Sequence, residues 1–137
     1  VPTPADHLAA ARAASDPAAL RALASTGLPF IDQALAANPH TPPDTLTQLA
    51  GVRHSAWNDN RLLWLPAEHP GADDPVLHAV LAAVAELLAA GERPYAAAVA
   101  LARRPEVPVE RVRALGESAG ASARLRGRVA RALAGRA

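Results

Sequence analysis

ANPHTPPDTLTQLAG, residues 37–51, reads almost as a second copy of RRPEVPVERVRALGE, residues 103–117. Pro39 falls on Pro105, Pro42 on Pro108, Leu46 on Val112 and Leu49 on Leu115, all at one offset of 66. Proline suits the first turn of a helix, where its missing N–H had no partner anyway, and it disfavours helix in the residue before it. The first copy therefore predicts a turn at Pro39, a cap at Thr41, Pro42 and Pro43 in a first turn, and Asp44 near the positive helix end. Leu46 and Leu49 then face inward. The second copy predicts the same plan from Val107, with Pro108, Glu110, Val112 and Leu115 in the matching places.

A looser copy lies between them. Pro70 follows Pro39 by 31 residues, which puts Leu77 on Leu46 and Val80 on Leu49, with Asp73 in place of the second proline. Here the helix runs on, because Leu77, Val80, Leu81, Val84, Leu87 and Leu88 hold one face of a 3.6-residue period until Gly91. Upstream, SDPAALRALAS predicts a helix opening near Pro17, capped by Ser15 or Asp16, with Leu20 and Leu23 inward. Each motif helix is also preceded by a second helical stretch: PFIDQALAANP, NDNRLLWLPAEHP and PYAAAVALARRP. The last closes on Arg103 and Arg104, where cations suit the negative helix end. Downstream, GASARLRGRVARALAGRA sets Leu125, Val129 and Leu133 four apart on one side. Alternation is absent, so no strand is expected.

The unit is thus helix, proline-bounded turn, helix. Units of this size that each expose one apolar face stack on one another, since a lone unit cannot bury that face. ALAANPHTPPDTLTQLA resembles the leucine-rich repeat variant family of bacteria; WNDNRLLWLPAEHPGADDPVLHAVLA and AAAVALARRPEVPVERVRALG are similar to further units of it. The likeness runs in patches from Leu20 to Leu115, and HEAT-like helical repeats share the same proline and leucine spacings. It implies a right-handed superhelix in which α-helices alternate with short 3₁₀ segments. The intervals of 31 and 35 between first prolines are wider than that family's, and the iron–sulfur site of some members has no Cys to hold it here.

Composition narrows the rest. At 137 residues the chain is read as one domain, residues 1–137, and half of it is apolar. Most of that is Ala, with one Phe, one Tyr and two Trp, so stability must come from many close helix contacts rather than an aromatic centre. The absence of Cys excludes disulfides and thiol chemistry, and a cytoplasmic setting is expected. The opening VPTPADHLAAARAASD has acids and proline where a secretion signal needs a basic and then an apolar run. It begins on Val, the mark of a processed chain, an alternative start or a fragment. PVLHAVLAAVAELLAA, residues 75–90, is too short for a membrane span. Basic residues are all Arg, the residue use of a high-GC bacterial genome.

His69, Asp73, Asp74 and His78 fall within ten residues, and Asp74 and His78 share a helix face. That spacing suits a divalent metal, but capping and helix-dipole roles for the two acids weigh more, and no metal or cofactor is expected. Trp57 and Trp64 stand seven apart on one helical stripe. Trp64 reads as a core filler; Trp57, beside Asn58, Asp59 and Asn60, divides evenly between core and exposed anchor. Nothing supports nucleophilic catalysis: there is no Cys, no Gly-x-Ser-x-Gly elbow and no phosphate-cradling glycine pattern, so the chain is not expected to be an enzyme.

Charge is the most informative functional feature. Residues 1–92 hold 4 Arg against 10 acids and residues 93–137 hold 10 Arg against 3. Arg103, Arg104, Arg111, Arg113, Arg124, Arg126, Arg128, Arg131 and Arg136 make the last third basic. Three readings stand: a solvated face, docking of an acidic protein or another copy of the chain, and phosphate-directed binding of nucleic acid. The expectation is an all-α, degenerate helical-repeat solenoid of seven to nine short helices acting as a non-catalytic interaction module. Its candidate contacts are Trp57, Asn58, Asn60, Arg103, Arg104, Arg111, Arg124, Arg126, Arg128 and Arg131, with nucleic acid as the alternative partner.

Overall fold

A computed structural model describes residues 3–118 and 120–136. Among them are nine α-helices and no strand: α1 (Pro4–Ala13), α2 (Pro17–Leu23), α3 (Pro29–Ala37), α4 (Pro43–Ala50), α5 (Ala56–Glu68), α6 (Asp74–Ala89), α7 (Tyr95–Arg103), α8 (Val109–Glu117) and α9 (Ala123–Ala134). Four open on a proline, at Pro4, Pro17, Pro29 and Pro43, and in α6 Pro75 is the second residue. The expected proline punctuation holds at these five starts, whereas Pro108 takes the cap position of α8 and Pro66 lies inside α5. At the other end Gly91, with φ +86°, closes α6. Its N–H reaches the carbonyl of Leu88 and that of Glu92 reaches Leu87, a left-handed stop that only glycine adopts without strain.

The helices fall into two rows. The odd helices pack one on the next, α1 on α3, α3 on α5, α5 on α7 and α7 on α9. Of the even helices, α4 packs on α6 and α6 on α8, and α2 lies against α1 and α3. On the even row Leu46, Leu49, Leu77, Val80, Val112 and Leu115 are all buried, so the proline-aligned positions are core positions, with Leu49 in a separate cluster beside Ile31, Leu35 and Leu62. Each such side chain contributes roughly 1.5–3 kcal/mol of burial. The odd row buries Ile31, Leu35, Leu62, Leu63, Leu125 and Val129 too, but α7 is cored differently, by Ala97, Ala98, Ala100 and Ala102 around Leu101. Small side chains there let α7 sit close against α5 and α9.

The turns explain why the prolines recur. The N–H groups of Thr41, Ala72 and Val107 donate to the carbonyls of Asn38, His69 and Arg104, each at 3.1 Å, with proline second in each turn. This is one hydrogen-bonded β-turn used three times, and proline's fixed φ suits that second position. Thr41 is not the cap expected of it. It is buried, its hydroxyl donates to the Leu35 carbonyl at 2.5 Å, and Pro42 occupies the cap position of α4 with no side-chain capping bond. Thr41 lies one residue too early to reach the helix N–H groups. Where the second proline is missing, Asp73 caps α6 by accepting from the N–H of Val76 at 3.1 Å. Asp16 takes the cap position of α2, also without a side-chain bond. The second helix of each unit is a full α-helix, where the family resemblance implied 3₁₀ segments.

A polar ladder ties the levels together, and it sits on the residue before each first proline. The Asn38 amide donates to the carbonyls of Ala11 and Ala14 at the end of α1, at 2.9 and 2.8 Å. One level on, His69 Nε2 donates to the Asn38 carbonyl at 2.7 Å, while its Nδ1 accepts from the N–H of Gly71. Arg104 then donates to the carbonyls of His69 and Ala72, at 3.0 and 3.2 Å. Last, Arg136 donates to those of Leu101, Ala102 and Val107. The final carbonyls of a helix have no partner inside it, and each rung supplies donors to the level before.

Candidate interaction face

The two rows differ in what they show to solvent. All four aromatic residues lie on odd helices: Phe30 on α3, Trp57 and Trp64 on α5, Tyr95 on α7. Trp57 is 68% exposed and Phe30 43%, the two large apolar side chains left open among the described residues. Acids on the odd helices are few, and two of them, Asp32 and Asp59, are buried, leaving Asp6 and Glu68 exposed. Exposed Arg12, Arg103, Arg124, Arg126, Arg128 and Arg131 outnumber them. The even helices expose Asp44, Asp74, Glu86, Glu110 and Glu117 against Arg21, Arg111 and Arg113.

Helix α5 is the hinge of the odd face. Trp57, Arg61 and Trp64 stand at helical positions i, i+4 and i+7, so all three share one stripe. The Arg61 guanidinium lies 5.8 Å from the Trp57 ring centroid and 5.6 Å from that of Trp64, within cation–π range of both. On one side of the stripe, Leu8, Arg12, Phe30, Gln33, Arg61 and Leu65 line a groove of about 320 Å³ between α1, α3 and α5. On the other, Trp64, Glu68, Arg103, Arg128, Arg131 and Arg136 line a groove of about 700 Å³, with Ala96, Val99, Ala132 and Gly135 also in its wall. Trp64 is half-buried and packs against the main core, so it is both filler and wall.

The basic residues of the last third do not form one patch. Arg103, Arg128 and Arg131 converge on the large groove. Arg126 and Arg113 line a separate, more apolar cleft between α8 and α9, where the Arg126 stem lies over Gly116. Arg111, on the even row, sets its NH1 2.9 Å from the His78 ring. Arg124 is exposed on α9. Arg104 is a rung of the ladder with its side chain 18% exposed, and it also pairs with Glu106 at 2.7 Å, so its guanidinium is already engaged. The Glu106 carboxyl is held below the usual range by a backbone hydrogen bond of its own and then by Arg104. Arg136 lines the large groove but gives its donors to three carbonyls.

Around Trp57 the neighbours are structural. Asn60 accepts from the N–H of Ala97 at 3.4 Å and so serves the start of α7, whose own cap position is Pro94. Asn58 accepts from Gln33 at 2.7 Å and donates to Ser55, the cap of α5. Beneath them Asp59 accepts from the His54 N–H at 2.6 Å, and Asp32 pairs with the His54 ring at 3.1 Å. Burial pushes the Asp32 carboxyl above its ordinary range, against the pull of His54.

His69, Asp73, Asp74 and His78 are not brought together as ligands. His69 is buried in the ladder, Asp73 caps α6 and His78 meets Arg111. Among the described residues no group of three or more His, Asp or Glu side chains could hold a metal ion, and no helix there is long and apolar enough to cross a membrane. The residues that sequence reasoning missed are Phe30, Arg61 and Glu68. For Arg61 the spacing between the two tryptophans was the available signal. Compared with family models, curated proteins and solved structures, the chain matches none.

Proposed function

We propose that the chain is a non-catalytic recognition module, a degenerate helical-repeat stack of the solenoid kind whose odd row is the binding face and whose partner is a protein. The observation that carries this is the sorting of side chains by row: every aromatic residue, and most of the exposed Arg, stand on the odd helices. Packing does not require that sorting. Aromatic and Arg side chains are the usual anchors of protein interfaces, whereas an exposed Trp that serves only solubility is uneconomical. The repeat reading draws support from the turn and the ladder, which recur at the same place in successive levels.

The test compares the rows. Purified chain is passed over immobilised polyglutamate and immobilised duplex DNA at rising salt. Retention on polyglutamate that Arg103→Glu with Arg128→Glu removes, and Arg111→Glu with Arg113→Glu leaves intact, is the expected result. Retention governed by the even-row pair would place recognition on the wrong face. Retention on DNA alone, with a steep salt slope, would replace the protein partner with nucleic acid.

A further inference from the structure

We infer that the groove between α5, α7 and α9 takes an acidic peptide segment, one that alternates carboxylates with apolar side chains. This rests on the reading of the odd row as the binding face. Three guanidinium groups, of Arg103, Arg128 and Arg131, reach the groove from two helices, and all three residues are exposed. Arg128 and Arg131 are three apart on α9 and so share a face, opposite Arg103 at the end of α7. A planar guanidinium pairs two-pronged with a carboxylate, which suits Arg better than Lys at such a wall. Between these walls lie Ala96, Val99 and Ala132, small apolar side chains that a partner's Leu or Phe can cover.

Glu68 decides between two anionic partners. It is an exposed carboxylate in the same groove, one turn beyond Trp64. A nucleic-acid backbone bears a phosphate at every step and offers Glu68 no donor, so the two repel. A peptide has an N–H at every residue and need not carry charge at every position; it can satisfy Glu68 and the three Arg together. Stacking of successive bases also calls for several aromatic platforms, and Trp64 is the one aromatic side chain lining this groove.

The experiment uses Trp57→Phe protein, in which Trp64 is the sole tryptophan, so its emission reports on the groove. The probes are a capped peptide of alternating Glu and Leu and an oligothymidylate of equal charge, at physiological salt. The expected result is a saturable shift of Trp64 emission with the peptide. Each of Arg103→Gln, Arg128→Gln and Arg131→Gln should weaken it by about tenfold, the size of one charge-assisted contact. Far-ultraviolet dichroism and the thermal midpoint confirm that each variant is folded. Independently of these losses, Glu68→Ala should strengthen the oligonucleotide more than the peptide, because the peptide's N–H groups can satisfy the carboxylate and a phosphate backbone cannot.

If the oligonucleotide moves the emission and the peptide does not, the assignment is overturned in favour of nucleic acid. If the peptide binds but ignores the three Arg while losing affinity on Phe30→Ala, the groove is wrong and the odd face stands. If its affinity follows Arg111→Glu instead, the odd-face reading fails too. No binding by either probe overturns the groove assignment alone, leaving the row comparison on resin to judge the face.

Discussion

The even row and the odd row both bury branched side chains, but they differ at α7, which is cored mainly by Ala, and in what they show to solvent. Even helices bury Leu and Val and expose more acids than Arg. Odd helices bury Ile31, Leu35, Leu62, Leu63, Leu125 and Val129 as well, but α7 packs between α5 and α9 through Ala, and Asn38, His69 and Arg104 at the ends of α3, α5 and α7 add the polar ladder. Among the large apolar side chains of the odd row, Phe30 and Trp57 face outward. The difference teaches that one row can divide its aromatic residues between two uses: Trp64 and Tyr95 pack against the core, while Phe30 and Trp57 stand open to solvent.

The contrast can be broken most forcefully on the even side. Leu46→Ala empties a fully buried site shared by α4 and its neighbours and is expected to cost about 2–5 kcal/mol in urea unfolding. On the odd row, α7 should fail in the other direction, by crowding. Ala98→Leu, in the contact layer of α7, is expected to cost about 1–3 kcal/mol, and a neutral outcome would mean that the close approach is not what holds the row. Crowding should also tell at Gly120, between α8 and α9, where a β-carbon would run into the Leu88 carbonyl of α6 on the even row.

The ladder sharpens the comparison further. Asn38→Ala leaves the carbonyls of Ala11 and Ala14 without their donor, a loss of about 1–3 kcal/mol that should appear first as faster amide exchange in α1 and α3.

A smaller effect comes from Asp32, whose folded carboxyl titrates above its ordinary value because it is buried. The folded chain then binds this proton more tightly than the unfolded chain. Stability from this group is therefore greatest below the ordinary value of 3.8 and falls as pH rises through the folded value. Asp32→Asn should flatten that part of the pH profile and raise the thermal midpoint at neutral pH. A profile unchanged by the substitution would show that the His54 contact fully offsets burial.

Least of all should follow from Asp44→Asn. Asp44 is held below its ordinary range chiefly by Arg21, 3.0 Å away, but both side chains are more than half exposed, so the midpoint should stay within experimental error.

Much of the even row was legible in the chain. Pro39, Pro70 and Pro105 mark one turn, and aligning them places Leu46, Leu77 and Val112 in equivalent buried sites. Gly91 announced its own helix end. The ladder was hidden because its rungs are Asn38, His69 and Arg104, three residue types alike only in that each aims a donor at a carbonyl. Side-chain identity does not encode aim. The face was legible only in part. Counting Arg along the chain sets the last third apart from the rest, whereas the helices alternate between rows, so the two divisions cross. Arg104 and Arg111 belong to the same basic third as Arg128, yet the first is a rung and the second meets His78 on the other row. The spacing of Trp57 and Trp64 did carry the stripe, since seven residues is two helical turns.

The most direct test is a map of amide chemical-shift changes as the alternating Glu and Leu peptide is added to the isotopically labelled wild-type chain. The changes are expected along α5, α7 and α9, with Trp64, Glu68, Arg103, Arg128 and Arg131 among the strongest, while α4 and α6 stay still. Changes concentrated instead on α6 and α8 around His78 and Arg111 would contradict the assignment of recognition to the odd row.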